Sequence, residues 1–104
     1  MALGGSSGPP MFPNSKTVMV ELTTAKGIAF SAEADGVELR TTDGVIAINP
    51  LEESYLHLTH TTHITLRVGT EFRTFELENA AASLRDGRLT VIAEEIHEIE
   101  SAGG

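Results

Sequence analysis

"VMVELTTAKGIAFSAEADGVELRTTDGVIAI", residues 18–48, carries the periodicity from which the architecture follows. Val18, Val20 and Leu22 alternate with Met19, Glu21 and Thr23. A period of two places one set of side chains on one face of an extended chain, the pattern of a strand with one buried side. Ile28, Phe30 and Ala32 repeat it, as do Val37, Leu39 and Thr41. "VIAI", residues 45–48, is apolar throughout and predicts a fully buried strand. Lys26-Gly27 and Asp43-Gly44 separate these runs and supply the positive φ that tight hairpins need. Asp35-Gly36 reads either as a turn or as a bulge inside an extended segment.

The same grammar continues downstream. Ile64, Leu66 and Val68 alternate with His63, Thr65 and Arg67, and Leu89, Val91 and Ala93 with Arg88, Thr90 and Ile92. Gly69-Thr70 reads as a two-residue hairpin with Gly first, and Asp86-Gly87 as another turn. Phe72 and Phe75 have opposite parity, which predicts a bulge between them. "LENAAASL", 77–84, is alanine-rich, but it is short and flanked by strand signals, so strand or irregular structure is expected there. "AEEIHEIES", 93–101, reads as a final edge strand or a frayed turn. Short strands at intervals of ~8–12 residues with Gly turns indicate an all-β fold, a small antiparallel β-sandwich of about eight to ten short strands. The Gly-, Ser- and Pro-rich residues 1–15 read as a flexible N-terminal tail, with Met11 an alternative start. The sandwich is expected over 16–100 and a flexible end over 101–104.

Composition limits the function. The 104 residues suit one domain, and 40% apolar content allows a small packed core. There is no cysteine, which excludes disulfides, zinc ribbons and thiol chemistry. A net charge of −8, with Arg67, Arg73, Arg85 and Arg88 scattered among acids, argues against nucleic acid and anionic lipid as partners. No apolar run is long enough to span a membrane, and no secretory signal is recognisable, so a cytoplasmic location is expected.

Three histidines, His57, His60 and His63, raise the question of a metal site. On a helix they would fall at successive rotations of about 300°, and the β-branched Thr59, Thr61 and Thr62 disfavour a helix. On a strand His57 and His63 share a parity that His60 lacks, so the three cannot converge. Only a loop around Thr61-Thr62 would bring His60 to His63, and the nearest carboxylates, Glu52 and Glu53, have nothing to fix them in reach. The expectation is three polar-face residues without a metal. Ser31, Ser54 and Ser83 lack a nucleophile-elbow context, and no Walker-type phosphate loop occurs. Glu94-Glu95 and Glu98-Glu100 read as a solvated acidic edge that discourages aggregation. No catalytic residue and no cofactor are expected.

The order of segments is informative as a set. Val20, Gly27, Phe30, Ser31, Ala34, Asp35, Val37, Leu39, Thr41, Gly44, Ile46, Ile48 and Pro50 fall in the order typical of one family, and "SLRDGRLTVIAEE", 83–95, looks like its closing strand pair. The chain resembles the N-terminal β-sandwich domain of the epsilon subunit of rotary ATP synthases over about residues 18–96. It departs from that family at Leu51–His57, where a Gly-His pair is replaced; at His60-Thr61-Thr62, in place of a Lys-Pro-Gly turn; and at Glu78-Asn79-Ala80-Ala81, in place of Ser-Gly-Gly-Phe. The family's C-terminal helical hairpin has no counterpart before Gly104.

The resemblance implies a non-catalytic central-stalk subunit of a proton- or sodium-translocating ATP synthase. It would contact the gamma subunit and the c-ring, without the inhibitory hairpin, peripheral to the inner (plasma) membrane on the cytoplasmic side. Carried over by position, the ring-facing loop would be Thr42, Asp43, Gly44 and Val45. A pure hairpin role for these residues stands beside that reading. The alternative function is a stand-alone, homo-oligomeric β-sandwich binding module that has diverged from the synthase.

Overall fold

The computed structural model describes residues 17–48 and 55–99. The expected tail at 1–15, the end at 101–104, and Glu52 and Glu53 lie outside the described residues. The chain runs through β1 (Val18–Thr24), β2 (Gly27–Ala34), β3 (Gly36–Thr41), β4 (Gly44–Ile48), β5 (Tyr55–Val68), β6 (Glu71–Arg85), β7 (Arg88–Ile92) and β8 (Glu95–Ile99). No helix occurs among the described residues, so the alanine-rich 77–84 is strand. The ladder runs β2-β1-β7-β6-β5-β3-β4, with β8 added to β6.

The pairing divides into two layers. One consists of β2, β1 and β7 with residues 80–85 of β6 and 55–59 of β5. The other consists of β4 and β3 with residues 61–68 of β5, 71–78 of β6, and β8. β5 and β6 belong to both, which is why they run to 14 and 15 residues where shorter strands were expected. They turn the corner at irregular pairings between Thr59, Thr61 and His63. His60 and Asn79 take φ of 59° and 50° there. A bulge bends a strand locally, which lets one strand serve both sheets. Every pair is antiparallel except β1–β7, which is parallel.

The alternating apolar residues fill the space between layers. Val18, Val20, Leu22, Leu39, Ile64, Leu66, Leu84, Leu89 and Val91 are fully or almost fully buried. Each such side chain contributes about 1.5–3 kcal/mol relative to exposure. Ala80 and Ala82 are buried beside the corner, which explains the alanines without a helix.

Two expectations are corrected, and the open reading of Asp35-Gly36 is decided. "VIAI" is not fully buried: Val45 is 49% exposed and only Ile48 reaches the core at 5%, because β4 is an edge strand paired to β3 alone among the described residues. No bulge separates Phe72 from Phe75, since the register is continuous from Glu71 to Glu76; Phe72 simply faces outward at 55% exposure. The bulge of this strand comes later, at Asn79. Asp35-Gly36 is not a hairpin turn but a bend by which the chain passes from one layer to the other. The Asp35 amide donates to the Arg67 carbonyl (2.7 Å), and its carboxylate accepts from the Gly69 amide (2.7 Å). At Asp86-Gly87 both residues have positive φ, 50° and 80°, the tight hairpin geometry expected there.

Candidate functional site

One end of the sandwich is a contiguous rim of turns. The Thr24-Ala25-Lys26-Gly27 and Thr41-Thr42-Asp43-Gly44 hairpins are built alike. In each, the first threonine hydroxyl accepts a hydrogen bond from the amide two residues on: Lys26 to Thr24 and Asp43 to Thr41, both 3.1 Å. The Thr41 hydroxyl in turn donates to the Gly44 carbonyl (3.2 Å). Gly44 sits at φ 144°, where a side chain is strained, so the turn needs this residue on geometry alone.

Neighbouring contacts tie the rim together. The Thr42 amide donates to the His60 carbonyl (3.3 Å), which places the β3–β4 turn against the β5 corner. On the other side, the Glu94 amide donates to the Glu78 carbonyl (2.8 Å), and Asn79 Nδ2 donates to Glu94 Oε1 (3.0 Å). Ala93 reaches the Thr23 carbonyl beside the β1–β2 hairpin (3.0 Å). Thr42, Asp43, Gly44 and Val45 are all exposed on this rim. The fold therefore presents the four residues together, on a support anchored by backbone hydrogen bonds.

The three histidines are dispersed. His57 lies on the outer face of the first layer with Nδ1 2.9 Å from the Ser83 hydroxyl. His60 occupies the corner, 3.1 Å from Thr59 Oγ1. His63 faces outward from the second layer, 3.0 Å from Thr62 Oγ1 and 4.0 Å from the Glu76 carboxylate. A different set converges instead: ligand atoms of Glu78, Glu95 and His97, all exposed, lie within 4.8 Å of one another. The strand register brings Glu78 opposite Glu95, a relation that sequence spacing does not reveal.

The acidic edge also holds an ion pair that linear reading missed. Glu98 receives two hydrogen bonds of 2.7 Å from Arg73. This bonding holds the Glu98 carboxyl below its ordinary range and raises the Arg73 guanidinium above its own. The guanidinium also stands 4.5 Å over the Phe30 ring. Arg73 thus links β2, β6 and β8. The alternation of Arg73 with Phe75 and Leu77 was the available signal, since it puts Arg73 on the core-facing parity.

Residues 17–99 match the family described as the ATP synthase, Delta/Epsilon chain, beta-sandwich domain. The chain belongs to this family. Among solved structures, a chain of the Euglena gracilis mitochondrial ATP synthase, described as OSCP/F1/c-ring in rotational state 1, has a similar fold. The TM-score is 0.70 at 14% identity, over 88% of this chain and 57% of that one. A chain of the Tetrahymena thermophila mitochondrial ATP synthase, described as central stalk/c-ring, is similar at TM-score 0.59 and 13% identity, over 79% of this chain and 66% of that one. At these identities the likeness is one of fold. The delta/epsilon-type chain spans 57% and 66% of the lengths of those two structures. No curated protein matches it by sequence. No helix among its described residues is long and apolar enough to cross a membrane.

Proposed function

We propose that this delta/epsilon-type sandwich, residues 16–100, is a non-catalytic central-stalk part of an ion-translocating ATP synthase. In this reading it packs on the gamma subunit and rests on the c-ring through Thr42, Asp43, Gly44 and Val45. It sits peripherally at the membrane on the cytoplasmic side, held there by the complex. The observation that carries the reading is the family match across residues 17–99. The rim geometry supports it: a turn held from behind by Thr41 and His60 transmits force with little local give. Torque transmission asks for such stiffness and for no reacting group.

The test is co-purification of the tagged chain with its cognate gamma subunit and c-ring. Both are retained if the reading holds, and Asp43→Lys releases the ring while gamma stays bound. Failure to retain cognate gamma removes the proposal. A stable homodimer by size exclusion, without gamma, favours the stand-alone module instead.

A further inference from the structure

The sandwich is open along one side. Among the described residues β2 pairs only with β1, and β8 only with β6, so each strand keeps one edge without a ladder partner. The two strands flank a cleft of about 570 Å³ lined by residues 24–29 and 94–97. A volume of this size is ordinary for a ligand or peptide site. At the rim the cleft is lined by the Thr24–Gly27 hairpin itself, which the bond from the Ala93 amide to the Thr23 carbonyl ties to the chain leading into β8. At its other end Arg73 bridges Glu98 on β8 and the Phe30 ring on β2. The cleft walls are therefore held in place.

We propose that this cleft accepts an extended basic segment of a partner protein, added as a strand between β2 and β8. Edge strands carry backbone N–H and C=O groups that bond readily to an incoming strand. Charge identifies the incoming side chains. Glu94 and Glu95 line the cleft together with Lys26 and His97. Asn79 already bonds Glu94 (3.0 Å), and the His97 ring nitrogen lies 3.0 Å from Glu95, so a guest cation competes with these contacts. Beside the cleft Glu78 stands directly opposite Glu95 in the ladder, which leaves three carboxylates against the one lysine. Like charges directly opposed are unfavourable, and a lysine or arginine placed between them relieves the repulsion. Ile28, 61% exposed, and the partly buried Ile96 offer apolar contact to the alternate positions of the guest. A second copy of this chain is a poor guest, because its own β8 edge brings further glutamates to the same place.

The experiment is a titration of the ¹⁵N-labelled full chain with the peptide acetyl-Lys-Val-Lys-Val-Lys-amide. Amide shifts confined to residues 27–29 and 95–97 are expected, with slowed hydrogen exchange at the same amides. The peptide acetyl-Glu-Val-Glu-Val-Glu-amide and a version N-methylated at both valines bind at least about tenfold more weakly, a loss of about 1.4 kcal/mol. Glu95→Gln weakens the lysine peptide several-fold, while Glu33→Gln leaves it unchanged. No shift at millimolar peptide, shifts centred elsewhere, or equal binding of the N-methylated peptide overturns the proposal. None of these outcomes bears on retention of gamma or the c-ring.

Discussion

The Phe30 ring on β2 lies against the Phe75 ring on β6, with centroids 4.9 Å apart and planes at 40°. The two rings come from opposite layers, so this contact joins the sheets at the side where the sandwich is open. Phe75 is 4% exposed, whereas Phe72, three residues earlier, is 55% exposed. Phe75→Ala is therefore expected to cost about 3–5 kcal/mol of stability. Phe72→Ala should change it by no more than about 0.5 kcal/mol. Urea unfolding of both variants checks the contrast; equal losses would contradict the assigned facing.

Arg73 and Glu98 make a pH-dependent contribution. The Glu98 carboxyl titrates below its ordinary value of 4.5 because Arg73 hydrogen-bonds it. A carboxyl depressed in the folded state stabilises above the unfolded pKa, and that stability is lost as pH falls through the folded value. Glu98→Gln should therefore lower Tm at pH 7, with the gap to the parent closing as pH falls below 4.5. The effect is small, because exposed pairs are screened, and it shrinks with added salt. A gap that widens in acid would have the wrong sign for this pair.

The corner residue His60 holds φ 59°, a left-handed conformation disfavoured for side chains branched at Cβ. His60→Val should destabilise by about 1–2 kcal/mol. His60→Gly should be close to neutral, since glycine meets no such strain. Thermal unfolding of the two variants separates backbone strain from any role of the imidazole.

Next to it, Thr61 is 1% exposed, and its hydroxyl has no hydrogen-bond partner among the described residues. Burying an unsatisfied hydroxyl costs about 1–3 kcal/mol. Thr61→Val keeps the shape and removes the hydroxyl, so a gain of about 1 kcal/mol is expected in chemical unfolding. A loss would show that the hydroxyl is satisfied in solution.

The strand assignments and hairpins were legible because their causes are local. Alternation at Val18–Leu22, Val37–Thr41 and Leu89–Ala93 marks the buried face of each strand whatever its neighbours are. Glycine at the Asp43-Gly44 and Asp86-Gly87 turns answers a local need for positive φ. The Thr42–Val45 turn was singled out by resemblance alone, and the structure shows its residues exposed together. Burial of "VIAI" was misjudged because an edge position depends on which strands pair, not on the apolarity of the segment. The corner at His60 and Asn79 was missed as well. Its hints came from the resemblance: Asn79 stands where that family carries glycine, and His60-Thr61-Thr62 where it carries a Lys-Pro-Gly turn.

By itself the sequence determined an all-β chain, most of its turns, the buried side of the clearly alternating strands such as Val18–Leu22 and Leu89–Val91, and the absence of cysteine chemistry. These follow from the two-residue repeat, from backbone sterics and from composition. Only the tertiary structure decided that β1 lies parallel to β7, that β5 and β6 turn a corner to serve both layers, and that Arg73 reaches Glu98. It also set Glu78 opposite Glu95 across the ladder. Pairing and register arise from the packing of distant segments against one another, and nothing within a single segment encodes its neighbour.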